Sequence, residues 1–499
     1  MNVTFVHQGR ENLGLEMLSA MLKQAGHRVT LAYDMGLFGK NDNVFYIPAL
    51  EKIFSQEKEV LKTILDSKPD VVAFSSLTGT HKWCLDIAGK VKQKLDVPVI
   101  FGGVHPTLVP DRVIEKAAVD YVITGEGEIA FPAFLSAIEK KEDLAAVPNL
   151  VWRRGGEIVR NPMVPPVNDL DSLPYPDKGL FAPYLPLEDD YVIMTSRGCP
   201  NRCVYCGESH TNRLYNYRYF RRRSAAGSLD ELKEMKSRYN FRTVSFNDPI
   251  FFTDRKWLFE FLEGYRSEIG LPFRCFGQVR YLDDEVAELL KESGCYCVEF
   301  GLQTWNEKIR EELNIAPGGN ELFLSAFKTC DRYGLLYDVD HMFGIPGESI
   351  EDFKSGALLY AGLSRLNRIK VHHLSYFPRL PAVEMAKNKG ILNESDIEAL
   401  ENAEDAGDFF HPEKENPELK GYRVLYKILP MLSPAKINKI INGRGLEKLG
   451  RMPGPAVNFL QLVLAVKKRD FRFRLYFKYY PLRIYRKFFP PRKGIENES

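Results

Sequence analysis

Several absences narrow this chain before any motif is read. No run approaches the roughly 18 apolar residues needed to cross a bilayer. The opening Met-Asn-Val-Thr-Phe-Val-His reads as a strand and has no basic n-region before a long apolar stretch, so no secretory signal is expected. Eight Cys in 499 residues are too few and too scattered for a disulfide scaffold. Net charge is only +2, so global charge makes no case for nucleic acid. No second C-x2-C pair is present to complete a zinc site. With 44% hydrophobic and 27% charged residues the remainder is ordinary globular composition, long enough for two to four domains. A cytoplasmic, reducing location is the expectation.

Three of the Cys stand together. Cys199, Cys203 and Cys206 lie in Arg-Gly-Cys-Pro-Asn-Arg-Cys-Val-Tyr-Cys, a C-x3-C-x2-C spacing. A 4Fe–4S cubane is normally held by four thiolates, so three packed this closely can hold three corners and leave one iron open. A three-Cys zinc site or free thiols are the alternatives. Gly198 and Pro200 shape the loop, and Tyr205 sets an aromatic ring directly before the last Cys. Cys84, Cys275, Cys295, Cys297 and Cys330 are expected in the core as small apolar side chains. The triplet resembles the radical S-adenosylmethionine (SAM) enzymes. That resemblance implies that Cys199, Cys203 and Cys206 ligate a catalytic cluster, with Tyr205 beside the cofactors. It also implies that SAM chelates the open iron and is cleaved to a 5′-deoxyadenosyl radical, with a flavodoxin or ferredoxin as reductant.

Residues 1–145 alternate β-branched runs with amphipathic stretches. Strands are expected at 2–6, 28–33, 70–75, 97–101 and 120–123, and helices at 13–25, 51–65 and 81–95. That alternation predicts a parallel, doubly wound, flavodoxin-like sheet whose ligand edge is the carboxyl ends of its strands. Gly9 to Gly14, Ser75 to Thr80, Gly102 to Thr107 and Gly125 to Glu128 fall at those ends. Each alone is an ordinary βα turn. Together they resemble the cobalamin (B12)-binding domain that precedes many radical SAM domains, with Ser75-x-Leu77 and Gly102-Gly103 matching its SxL…GG pattern. The DxHxxG motif is replaced by Gly9-Arg10-Glu11-Asn12-Leu13-Gly14, which puts Glu11 where a cobalt-ligating His would stand. The resemblance therefore implies a cobalt whose lower face is water-bound or empty. His105, on a glycine loop, is a candidate corrin contact, whereas His7 and His81 read as satisfied loop or core histidines. A domain that only packs against its neighbour is the bland alternative.

Residues 146–185 read as a hairpin around Gly155-Gly156 followed by a proline-rich connector, resembling the usual bridge between cobalamin and SAM domains. From 186 to 385 six strands are expected at 191–195, 243–247, 273–277, 297–301, 337–343 and 369–375, separated by helices. As in the radical SAM family, they imply a partial (β/α)6 TIM-like barrel with its chemistry at the strand carboxyl ends. There the family pattern points to Asp248 facing the SAM amino group, Arg280 reaching its carboxylate or ribose, Gln303 where relatives carry Glu, and the glycine turn at Gly344 near adenine. For each, a solvated loop residue or helix cap is the alternative.

Residues 386–499 are expected to be a variable, mostly helical region, with prolines at 412, 417, 430 and 434. Its end interleaves basic and aromatic residues after the apolar stretch 459–466. Contact with an anionic membrane face, a solvated helix closing the barrel mouth, and nucleic-acid stacking compete, the last with no recognised module behind it. The resemblance covers roughly residues 1–385 and implies a cobalamin-dependent radical SAM enzyme. Methyl transfer to an unactivated carbon is the leading expectation, ahead of oxidation, cyclisation or ring rearrangement, on a small-molecule or lipid substrate. A non-catalytic cobalamin sensor is the other class, and an open cluster iron would serve no purpose there.

Overall fold

The computed structural model describes residues 1–39, 47–216, 219–315, 318–404, 416–468, 473 and 475–489. The amino-terminal sheet holds β1 (Asn2–Gln8), β2 (Arg28–Asp34), β3 (Val71–Ser75), β4 (Val99–Gly102), β5 (Tyr121–Ile123), β6 (Leu150–Arg154) and β7 (Glu157–Arg160) in the order β2-β1-β3-β4-β5-β6-β7. The first five are parallel, in the flavodoxin-like order. Helices cover both faces, so alternate residues enter different cores. Val3, Phe5, Val71, Ala73 and Ile100 join one cluster, while Val6, Val72, Phe74, Val99 and Phe101 join the other. The hairpin β6–β7 turns through Gly155 and Gly156, both at positive φ (60° and 92°), and β6 pairs antiparallel with β5. The connector's first element therefore extends the first sheet. The stretch expected as one helix over 51–65 forms two, Pro48–Phe54 and Glu57–Ser67. Between them the Gln56 amide oxygen accepts a bond from the Met35 backbone N–H (3.1 Å), so a tertiary contact holds the break.

The second sheet is built from β8 (Tyr191–Ile193), β11 (Val244–Phe246), β12 (Phe273–Gly277), β13 (Cys295–Gln303), β14 (Leu336–Phe343) and β15 (Leu366–His373). They run in chain order and all parallel, with no pairing of β15 back to β8 among the described residues. This is the open six-stranded barrel. Between β8 and β11 the short strands β9 (Ser196–Arg197) and β10 (Arg221–Arg222) pair antiparallel and clamp the two ends of the cysteine loop. Helix Pro417–Ile428 closes one flank of the barrel with Tyr422, Leu425 and Tyr426 in its core. The terminal segments Leu475–Tyr479 and Tyr480–Phe488 cross back to the amino-terminal domain, where Tyr480 is buried. Residues 469–472 and 474, and Pro412, lie outside the described residues. No helix among the described residues is long and apolar enough to cross a membrane.

Candidate active site between the two sheets

The carboxyl edges of the two sheets face each other across a cavity of about 620 Å³. Asn12, Ser75, Leu77, Gly102 and Gly103 line one wall; Met194, Arg197, Gly198, Glu208 and Asn247 line the other. Both sheets present the ends where βα loops gather, which is why one space can touch loops from each. The first wall suits a flat cofactor with a long tail. Gly103 adopts φ +99°, and a Cβ there would lie 2.9 Å from the Ser76 carbonyl oxygen, so only glycine keeps this edge open. Asn12 caps the first helix through its Oδ1 and donates from Nδ2 to the Ser75 hydroxyl (3.0 Å), joining two of the lining loops.

His105 departs from its expected place. It is wholly buried and turned away from the cavity, its Nδ1 paired with Thr78 Oγ1 (3.1 Å) and its ring 4.3 Å from that of His81. Burial lowers its pKa to about 4, so a neutral ring packs there more cheaply than a cation. The loop backbone stays at the edge while the imidazole enters the core.

Glu11 lines the cavity and is tied to a residue the motifs did not single out. Lys178, fully buried in the connector, places Nζ 2.7 Å from Glu11 Oε1 and 2.9 Å from Glu16 Oε2. It also donates to the Val192 carbonyl of β8 (2.8 Å) and lies 4.8 Å from the Tyr191 ring centre. Burial holds the Glu16 carboxyl well above the usual carboxylate range, and the neighbouring Glu11 charge adds to this against the pull of Lys178. The ammonium thus joins the first domain, the connector and the barrel at one point.

Gly198, at φ +82°, starts the cysteine loop; a Cβ there would meet Tyr219 at 2.8 Å. The Val204 backbone N–H bonds to the Leu313 carbonyl (3.1 Å) and the Val204 carbonyl accepts from Ala382 N–H (3.1 Å), so the loop is fixed from two directions. Asn212 donates to the Cys199 carbonyl. The three Cys are half-buried and free of disulfides, and Cys206 is the N-cap of helix Gly207–Leu214. Burial, with added repulsion from the other loop sulfurs, pushes the Cys199 thiol up to about 12 and that of Cys206 up to about 11. Such a set holds thiolates only when a cation neutralises them, which suits an iron–sulfur cluster. Among the described residues no three His, Cys, Asp or Glu side chains converge on a single-ion site.

The barrel candidates divide. Asp248 is fully buried and committed to the protein: it accepts from Thr195 N–H (3.2 Å), Thr195 Oγ1 (2.8 Å) and Ser196 Oγ (2.5 Å). It orders the strand entering the cysteine loop and does not line the cavity. Asn247 and Pro249, its neighbours, line the cavity. Arg280 is exposed and reaches Asn201 Oδ1 (3.3 Å), between the first two Cys. Gln303 holds φ +67° at a register shift where β13 ends, a strained conformation uncommon outside glycine. Gly344, at φ +78°, is exposed with open space where a side chain would go. Tyr205 packs beside Cys203 and Cys206, and burial raises its phenol well above its ordinary value.

The contacts between the two walls were not legible as a motif. Arg221 forms a bidentate pair with Glu126, at 2.6 Å and 3.0 Å. Arg197 pairs with Glu128 (2.5 Å), and Tyr215 Oη accepts the Glu126 backbone N–H (2.8 Å). The run Tyr-Phe-Arg-Arg-Arg at 219–223 and the Gly-Glu-Gly-Glu turn at 125–128 were the available signal.

Known proteins share these parts. The B12 binding domain model matches residues 6–135 and the radical SAM superfamily model matches residues 193–357. An uncharacterised methyltransferase of Pyrococcus horikoshii is 26% identical over 344 residues, 66% of this chain and 72% of its own. The cytidylyl-2-hydroxyethylphosphonate methyltransferase of Streptomyces wedmorensis is 23% identical over 394 residues, 69% and 72% of the two chains. In fold, the chain resembles the radical SAM methyltransferase TsrM from Kitasatospora setae, solved with cobalamin and a 4Fe–4S cluster, at a TM-score of 0.66 and 18% identity over 94% of this chain and 99% of that one. With both domain models matched in order and a cavity enclosed between them, the chain belongs to the B12-binding-domain radical SAM enzymes, whose cofactors are a 4Fe–4S cluster, SAM and cobalamin.

Proposed function

We propose that this protein transfers a methyl group from cobalamin to an unactivated carbon of a small-molecule substrate. The observation that carries the reading is the single cavity with Ser75 and Gly103 on one side and Gly198 and Asn247 on the other. When bound, the cluster and SAM supply one-electron chemistry and cobalamin supplies the methyl group. The chain's own residues position and shield. Cys199, Cys203 and Cys206 hold the cluster in a loop clamped by β9 and β10. Gly103 leaves the edge open, and Asn12, Ser75 and Leu77 form the cobalamin wall. Arg280, Gln303 and Gly344 surround the carboxyl end of the barrel for SAM. The Arg221–Glu126 and Arg197–Glu128 pairs keep the walls together and water out, a proximity role. The methyltransferase names of the two relatives support the same chemistry.

The test is anaerobic reconstitution with iron, sulfide and hydroxocobalamin, then incubation with SAM and a reductant such as flavodoxin or ferredoxin. Appearance of 5′-deoxyadenosine together with S-adenosylhomocysteine is the expected result. The first product alone would point to oxidation or cyclisation, and neither product would remove the reading. Peripheral contact with an anionic membrane, and with it a lipid substrate, draws support from Phe459, Val463 and Val466, which are 64%, 38% and 46% exposed on helix Gly454–Lys468. Equal liposome flotation with and without residues 459–499 would end that idea.

A further inference from the structure

Beneath the wall of the first cavity one ammonium serves two carboxyls. The three N–H donors of Lys178 are all taken: Glu11 Oε1 at 2.7 Å, Glu16 Oε2 at 2.9 Å and the Val192 carbonyl at 2.8 Å. No donor remains for a ligand, so Lys178 acts on the cavity only through its partners. Glu16 has no exposed surface, whereas Glu11 is 13% exposed and lines the cavity. Glu11 also lines a smaller neighbour of about 430 Å³, walled on one side by Tyr479 and Arg483 of the carboxyl-terminal segment. Resting on the reading that the first cavity takes cobalamin, we propose that Lys178 is a positioning residue for that cofactor. It pins the Glu11 carboxylate and cancels its charge, which keeps the Co(III)/Co(II) potential higher than an unmatched carboxylate would allow.

The charges cancel at this point because one carboxyl keeps its proton. Burial holds Glu16 well above the usual carboxylate range, so Glu16 is the neutral member and Lys178 faces Glu11. Burial opposes the Lys178 charge, but Glu11 and Glu16 outweigh it and keep the ammonium protonated. Elsewhere in the same wall Arg197 answers Glu126 and Glu128, and Arg223 answers Glu231. Taking up one electron removes one positive charge at the cobalt, so a carboxylate left unmatched in the wall favours the oxidised form. One unit charge within about 10 Å changes such an equilibrium about tenfold at an effective dielectric constant of about 20.

A strut would not need this ammonium. The connector is already clipped to the first helix, Leu13–Gln24, one residue earlier. Asp177 accepts from Ser19 Oγ (2.6 Å), pairs with Lys23 (2.7 Å) and donates its backbone N–H to the Glu16 carbonyl (3.1 Å). A fully buried ion pair is also a poor source of stability, since matched apolar side chains often do as well or better. What the ammonium adds is charge at the one place where a carboxylate of this cluster reaches the cavity.

The experiment loads the full chain with hydroxocobalamin, confirms uptake by equilibrium dialysis and reads the Co(III)/Co(II) midpoint by spectroelectrochemical titration at neutral pH. Lys178→Gln keeps a hydrogen-bond donor and removes the charge. It should lower the midpoint by a tenfold change in the equilibrium constant, about 59 mV for one electron. Lys178→Arg should leave the midpoint where it was, and Lys178→Gln combined with Glu11→Gln should bring it back. Glu11→Gln alone removes the carboxylate nearest the cavity and leaves the ammonium, so it should raise the midpoint. Circular dichroism checks each fold, and the sign for Glu11→Gln decides the matter if Lys178→Gln does not fold. A purely structural role would be met by Gln and would move no midpoint. An unshifted midpoint in folded, cobalamin-loaded Lys178→Gln, or a lowered or unshifted one in Glu11→Gln, would overturn the proposal while the reading of the cavity stands. No hydroxocobalamin uptake by the unaltered chain would strike that reading, and the proposal with it.

Discussion

Asp248 and His81 illustrate how burial decides what an ionisable side chain does. Burial pushes the Asp248 carboxyl up, while Arg222 and the Thr195 and Ser196 hydroxyls pull it back. Its two oxygens serve three donors on the strand before the cysteine loop, so Asp248→Asn should cost about 2 kcal/mol of stability. SAM affinity should change by less than about threefold, since the side chain does not line the cavity. Thermal melts and isothermal titration check both, and a lost SAM affinity with an unchanged melt would restore a direct contact. His81 is buried with Nδ1 2.8 Å from Ser76 Oγ, and burial first, then His105 and Lys116, lower its pKa to about 2. The unfolded chain binds a proton there near pH 6.5 and the folded chain does not. Stability is therefore full above that pH and falls as pH drops toward the folded value. Between pH 7 and 5.5 the loss is about 1 kcal/mol for this histidine. His81→Asn should flatten the melting-temperature slope over that window, and an unchanged slope would mean the ring takes up protons equally in the folded and unfolded chain. From sequence the two residues looked different in role, because a carboxylate at a strand end and a histidine on a helix carry no mark of where their partners come from.

Among the loops, Gly103 makes the sharpest prediction. Gly103→Ala sets a Cβ 2.9 Å from the Ser76 carbonyl at a φ of +99° that side chains avoid. A destabilisation of about 1–3 kcal/mol is expected. Hydroxocobalamin uptake should fall with it, while iron content of the reconstituted cluster stays unchanged because the cysteine loop belongs to the other sheet. Absorption spectra and iron analysis read the two separately. Elements with long periodic signals were readable in advance. The helix expected over 13–25 is Leu13–Gln24, and all six barrel strands fall where β-branched and aromatic runs lie. The two-residue strands β9 and β10 were not readable, since two residues have no period, nor was the break at Gln56, which depends on Met35.

For the molecule as a whole, the function depends on two domains meeting at one set of edges. Arg221 is 5% exposed and bidentate on Glu126, so Arg221→Met leaves that half-buried carboxylate with Arg197 alone, at 3.4 Å, at a cost of about 1–3 kcal/mol. Calorimetry should show the two domains melting less cooperatively, and a single unshifted transition would mean the pair does not couple them. Fold class, domain order and the cofactor set could all be read from the chain, because each rests on local spacing: a period of two or 3.6, a C-x3-C-x2-C run, glycines after strands. Lys178 beneath Glu11, the inward turn of His105, the inter-domain arginine pairs and the carboxyl-terminal wall emerged only on folding. Each joins residues far apart in sequence, and a buried charge or ring is placed by whichever distant partner neutralises or packs against it.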